Sequence, residues 1–164
     1  MGAGRVGVHL APRGDSNSMG DSNPRVTFGY VARELGRRKI GFICVREKVK
    51  ADSLATQLKT AFGGVYIANE GFTGESAQAA LDAGWADAVA FGKAFLANPD
   101  LPARLRAHAP LNAPNPDTYY AGGAEGYVDY PALEWVSSAY RNGGAEILPR
   151  LRRYTVHGRD NSAG

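Results

Sequence analysis

Residues Ile40–Ala68 read IGFICVREKVKADSLATQLKTAFGGVYIA. Two short apolar runs, Ile40–Val45 and Val65–Ala68, enclose one stretch with apolar side chains at helical spacing: Leu54, Leu58, Ala61 and Phe62. Gly63-Gly64 stops that helix just before the second run. Strands joined through a crossover helix lie parallel. The runs are continuously apolar rather than alternating, as expected of strands covered on both faces.

The same unit repeats on either side. Upstream, Arg5–Leu10 is a valine-rich strand, and Ala11–Asn17 is turn chemistry. Asn23 can cap a helix whose first position suits Pro24, with Phe28, Val31, Ala32 and Leu35 on one face. Arg37, Arg38 and Lys39 favour its negative end. Downstream, Thr73 caps a third helix with Glu75 in its first turn, Gly84 ends it, and Ala88–Phe91 is the fourth strand. Gly92-Lys93 opens a short helix, and Asn98-Pro99 starts another that runs to about Ala107. The order predicts an α/β fold of four βα units. Part of a barrel and an open doubly wound sheet both satisfy it. Beyond Pro110 the chain turns polar and rich in glycine and tyrosine, which reads as an ordered surface loop.

The chain has 164 residues, too few for a complete eight-stranded β/α barrel of about 250. Its 44% hydrophobic and 21% charged residues support a packed core and exclude a disordered chain. A single cysteine, Cys44, excludes an intrachain disulfide and a multi-cysteine metal site, and its apolar surroundings make it a reduced core residue. No apolar run approaches a membrane span. The opening MGAGRVGV lacks a signal-peptide pattern, and Val6 departs from the myristoylation pattern, so a cytoplasmic location is expected. The net charge is +3, and residues 141–164 hold a surplus of that size, so the first 140 residues are neutral. A nucleic-acid-binding fold would place its basic surface on the fold itself, so no nucleic-acid partner is expected.

In parallel α/β folds, ligands bind beyond the C-terminal ends of the strands. Four loops reach that position: after His9-Leu10, at Arg46-Glu47-Lys48, at Asn69-Glu70-Gly71-Phe72, and at Gly92-Lys93. Gly71 and Gly92 allow close backbone approach to an anion and Lys93 adds a charge; the same residues also serve as plain turn punctuation. His9 on the first strand is either a hydrogen-bonded structural residue or a catalytic group. Glu47 and Glu70 read as solvated loop carboxylates. His108 and His157 have no carboxylate beside them in the pattern. There is no Walker loop, no GxGxxG, no nucleophile–base pair and no metal-ligand cluster.

Several stretches together resemble the old yellow enzyme family: Arg5–Pro12, Asn23–Tyr30, Asp87–Lys93 continuing through Ala97–Leu101, and Tyr119-Tyr120 with Gly126-Tyr127 and Asp129-Tyr130-Pro131. The likeness runs from about Arg5 to Leu133. It implies the C-terminal half of a TIM-type barrel, strands five to eight, as a flavin-binding domain over residues 1–134, followed by a basic tail, 135–164. It further implies FMN as cofactor, NAD(P)H as reductant and a small-molecule acceptor such as an activated alkene. By resemblance, Glu70 and Gly71 with Gly92 and Lys93 surround the FMN phosphate. Tyr119 and Tyr120 lie near flavin and substrate, and His9 faces the flavin pyrimidine edge. His9 and Tyr120 are then the catalytic candidates. The chain departs from the family at His9 and Lys93, where arginine is usual; lysine keeps the charge but loses the bidentate fork.

Half a barrel leaves two open edges and one bare sheet face. Three solutions are expected: self-association into a dimer, a complementary half-barrel chain, or cover by the apolar residues of the tail, Trp135, Val136, Tyr140, Ile147, Leu148, Leu151 and Tyr154. A natural truncation, one product of a split gene, and a half-barrel cut out on purpose are the three origins left open.

Overall fold

The computed structural model describes residues 2–14, 16–120 and 123–133. It divides into two compact units between Gly92 and Lys93. The expected boundary at 134/135, and the tail beyond it, lie outside the described residues.

The first unit contains four parallel strands, β1 (Gly7–Leu10), β2 (Phe42–Arg46), β3 (Val65–Asn69) and β4 (Ala88–Ala90), in the sheet order β1-β2-β3-β4. Helices α1 (Pro24–Arg37), α2 (Ala55–Phe62) and α3 (Gly74–Asp82) connect them. Strand order follows chain order with no reversal. Right-handed crossovers then put every helix on the same side, as in a barrel; a doubly wound sheet would reverse direction at a switch point. The expected four βα units are therefore present as an open segment of barrel type.

Register fixes two different faces. Val8, Ile43 and Tyr66 form one row, and Leu10, Val45 and Ala68 another, on the helix side. Ile43, Val45, Tyr66 and Ala68 are fully or almost fully buried there against Ala32, Leu58, Phe62 and Ala80 of the helices. The opposite face carries His9, Cys44 and Ile67 in one row and Phe42 beside Val65 in another. Phe42 and Val65 are 39% and 47% exposed. The continuous apolar runs thus do not mean two helix layers. Within this unit the second face is apolar but has no helix on it, as suits the inner wall of a barrel.

The helix termini follow their sequence signals. The Asn23 side chain accepts from Val26 N–H at the start of α1. At α3, Thr73 Oγ1 accepts from Ser76 N–H while Ser76 Oγ accepts from Thr73 N–H, a reciprocal cap. Gly36 sits where α1 meets the end of α2: a Cβ there would lie 2.2 Å from the Phe62 carbonyl oxygen. Asp87 ties the entry of β4 to its neighbours, since Oδ2 accepts from Tyr66 N–H (2.8 Å) and Oδ1 from Lys59 Nζ (2.7 Å). Burial alone would raise the Asp87 carboxyl, but Lys59 and the Tyr66 amide outweigh it and hold it below the usual value.

The second unit contains α4 (Lys93–Ala97), α5 (Leu101–Ala107) and a 3-10 turn at Pro116–Thr118. The helix expected from Asn98-Pro99 begins instead at Leu101. Asn98 is completely buried and acts as a staple: Nδ2 donates to the Ala94 carbonyl and Oδ1 accepts from Asn112 N–H at 2.7 Å. From residue 111 to 133 no strand occurs among the described residues, in agreement with a loop.

Candidate functional site

The four βα loops of the first unit leave the C-terminal ends of the strands. Glu47 directly follows β2 and is 4% exposed. Its carboxylate accepts from Arg13 Nε (2.6 Å), Ser53 Oγ (2.9 Å) and Leu54 N–H (3.1 Å). Arg13 also donates to the Asp52 carbonyl at 2.6 Å. The expectation of a solvated Glu47 is corrected: it locks the loop after β1 to the start of α2. Burial is tolerable because every acceptor site is used by a donor. Thirty-four residues separate Arg13 from Glu47, so no local pattern could show the pair.

Glu70 and Gly71 follow β3 with consecutive left-handed backbones, φ +90° and +79°. For Glu70 that conformation is strained, at a cost on the order of 1–3 kcal/mol. The Glu70 carboxylate is half-buried, 3.4 Å from Arg46 Nε. Asn69 Nδ2 donates to the Ala90 carbonyl (2.8 Å), tying the ends of β3 and β4 together. A cleft of about 400 Å³ beside Gly71 is lined by Lys48, Val49, Glu70, Phe72, Ser76 and Trp85. At Gly92 a Cβ would meet nothing within 4 Å, so the backbone there faces open space.

His9 is exposed on the bare face of the sheet, with Cys44 as its register partner. No hydrogen bond to its ring is present among the described residues. Burial pushes the Cys44 thiol up, which disfavours the thiolate.

In the second unit, three candidate residues come together. Lys93 Nζ lies 5.7 Å above the centroid of the Tyr119 ring. Tyr119 and Tyr120 pack edge to face, with centroids 6.4 Å apart and planes at 88°. Tyr120 is 99% exposed, and no carboxylate forms an ion pair with Lys93 among the described residues. The loop carrying the tyrosines is fastened near both ends to the buried Arg104, which donates to the carbonyls of Pro110 (2.6 Å) and Pro131 (2.8 Å). Asp100 accepts from Arg104 and from Leu133 N–H. The sequence pattern did not single out these two residues; their i,i+4 spacing was the one available signal. Among the described residues no cluster of histidine, cysteine, aspartate and glutamate could hold a metal, and no helix is long and apolar enough to cross a membrane.

No protein-family model matches the chain. Among curated proteins it is 37% identical over 143 residues to 12-oxophytodienoate reductase 2 of Arabidopsis thaliana, covering 82% of the chain and 38% of that protein. It is 38% identical over 136 residues to a probable flavin mononucleotide-dependent alkene reductase of Leishmania infantum, covering 81% and 37%. Among solved structures, morphinone reductase in complex with tetrahydroNAD superposes with a TM-score of 0.74 at 40% identity, over 79% of the chain and 36% of that chain. The old yellow enzyme homologue from Zymomonas mobilis gives 0.74 at 37% identity, over 79% and 39%. The chain thus spans well under half the length of the relatives it matches.

Proposed function

We propose, from the premise that the chain belongs to the old yellow enzyme family and spans part of the family barrel, that it binds FMN and takes part in reduction of a small acceptor such as an activated alkene, with NAD(P)H as reductant. The supporting observation is the pair of loop ends after β3 and β4. Glu70 and Gly71 turn through two left-handed residues, and Gly92 leaves open space where a side chain would stand. That backbone fits a phosphate. Lys93 follows Gly92 in the chain and is assigned to the same phosphate by the family resemblance alone.

Bound FMN would supply the hydride chemistry, as cofactors do. The chain's own part is to hold the group and set its electrostatics. His9, on the bare sheet face, is assigned to the pyrimidine edge. An imidazole there lacks the permanent charge that an arginine would offer a reduced flavin. Tyr119 and Tyr120 are assigned to the flavin and substrate side, with the exposed Tyr120 free to meet an acceptor. A cytoplasmic site of action goes with this reading.

The apolar second face, and the outer edges of β1 and β4, which no strand pairs among the described residues, support a second element of the proposal. The sheet is completed by four more parallel strands, and a second copy can supply them. If two copies are related by a two-fold along the barrel axis, β4 of each meets β1 of the other in parallel, and eight strands close. The alternatives are a complementary half-barrel chain and a module that holds FMN without turnover.

The test is a visible spectrum of the purified chain before and after FMN addition and gel filtration, followed by NAD(P)H consumption. A flavin band that travels with the protein, and acceptor-dependent loss of NAD(P)H, are expected. A colourless peak that releases all added FMN overturns the proposal. A flavin-loaded protein that consumes no NAD(P)H reduces it to a binding module.

A further inference from the structure

We infer that Tyr119 is the positioning residue of Lys93: its ring holds the ammonium in place without spending its charge. The functional consequence rests on the FMN reading above; the contact itself does not.

A lysine on a surface has four rotatable bonds and much rotamer freedom to lose when it engages an anion. Lys93 is exposed and opens a helix of only five residues, so the helix itself fixes its side chain poorly. What fixes it is the Tyr119 ring, 5.7 Å from Nζ to centroid, within the range of a cation–π contact. The ring is itself well placed. Tyr119 N–H donates to the Pro116 carbonyl, which fixes the backbone that carries the ring. The loop is braced where Asn115 N–H donates to Tyr130 Oη (2.8 Å) and Thr118 Oγ1 to the Asn115 carbonyl (2.9 Å).

The choice of an aromatic partner has a chemical consequence. A carboxylate at the same place would hold the lysine equally well but cancel its charge toward an incoming phosphate. A ring attracts the ammonium through its quadrupole and leaves the net charge at +1. The N–H donors that point away from the ring remain available to an anion. The Tyr119 hydroxyl takes no part in this, so phenylalanine should replace tyrosine and an aliphatic residue should not.

Two measurements on the full chain test the inference. In the first, lysine side-chain resonances are recorded by NMR, with Lys93 assigned by its loss in Lys93→Met. The Lys93 ε-methylene protons are expected upfield of their value in the unfolded chain, because they lie over a ring. The shift should persist in Tyr119→Phe and vanish in Tyr119→Leu. An unshifted Lys93 in the unsubstituted protein overturns the inference without any variant having to fold. In the second, FMN is titrated by fluorescence quenching into the unsubstituted protein, Tyr119→Phe, Tyr119→Leu, Lys93→Met and the Lys93→Met/Tyr119→Leu double variant. Tyr119→Leu should weaken FMN about two- to fivefold, Tyr119→Phe should not, and Tyr119→Leu should cost clearly less once Lys93 is gone. An equal loss in the Lys93→Met background would mean that the ring acts on FMN by itself and not through Lys93, and tighter binding in Tyr119→Leu would mean that the ring competes with the phosphate; either result overturns the inference. A ring-shifted Lys93 in a protein that binds no FMN overturns the FMN reading and leaves the contact standing.

Discussion

Arg104 Nε lies 2.7 Å from Asp100 Oδ1, one helical turn away, and the two side chains are only 5% and 4% exposed. Each also holds the backbone of the tyrosine-bearing loop, at Pro110, Pro131 and Leu133. Removing one partner leaves the other buried and uncompensated, at about 3–5 kcal/mol. Arg104→Leu should therefore lower the unfolding free energy by about that amount in urea denaturation. The Asp100→Leu/Arg104→Leu double variant should lose less than the two single losses added together, because neither charge is then stranded. Strict additivity would show that the pair does not act as a unit.

Acid should weaken the fold through two carboxylates. At Asp100, burial raises the carboxyl, but Leu133 N–H and Arg104 outweigh it and hold it below the ordinary aspartate value of 3.8. Asp87 is held down in the same way by Lys59 and Tyr66 N–H. A carboxyl depressed in the folded state contributes stability above its unfolded value, and this is lost as pH falls through the folded value. Stability should thus be level on the neutral side and decline once the pH drops below about 4. Asp100→Asn should be less stable near neutrality, with a shallower acid limb. Denaturant midpoints across the acid range check this, and an unchanged acid slope in Asp100→Asn would remove Asp100 from the account.

The contrast between Thr73 and Glu47 shows what the sequence could reveal. The cap at Thr73 is written within four residues, so pattern alone places it, and strand and helix order likewise follow from short periodicities. Glu47 is buried only because Arg13, Ser53 and Leu54 converge on it, and that convergence exists only in three dimensions. The same holds for Asn98, whose sequence reads as a helix start while its amide is committed to Asn112. The one-sided sheet is a related case. Apolar runs report that a face avoids water, not which layer would cover it. Of the candidate site, His9 and the glycine loops could be located by strand ends, whereas the seating of Lys93 on Tyr119 spans twenty-six residues and had no local signature.

Lys93→Met should weaken FMN by roughly 1–3 kcal/mol, about a five- to 150-fold rise in Kd, if one charge-assisted bond to phosphate is lost. Lys93→Arg should tighten it, since a guanidinium can both lie flat on Tyr119 and grip a phosphate with two donors. Fluorescence titration measures both, and an affinity indifferent to Lys93→Met would reject the phosphate assignment.

His9→Arg should raise the reduction potential of bound FMN, because a permanent positive charge favours the more negative reduced flavin. The variant should leave the packing intact, as His9 is exposed and no described hydrogen bond holds it. Anaerobic titration against a reference dye reads the potential directly. A potential that stays level or falls would place His9 away from the flavin.

Phe42 and Val65 are register partners on the bare face of the sheet, and both are substantially exposed. The Phe42 ring also lies directly over Gly7, where a Cβ would be 2.1 Å from its Cζ, so a stripe across β1, β2 and β3 is apolar. Such a surface, beside two strand edges that no described residue pairs, should associate. Light scattering should give twice the 17.4 kDa chain mass for the unsubstituted protein. Phe42→Lys and Val65→Lys place a charge on that face without touching the helix-side core, so each should shift the mass toward one chain while circular dichroism stays the same. A second copy is the expected occupant because its edges have the matching parallel polarity. A single-chain mass in the unsubstituted protein would overturn self-pairing, and a heavier peak containing a different polypeptide would identify a complementary half-barrel in its place.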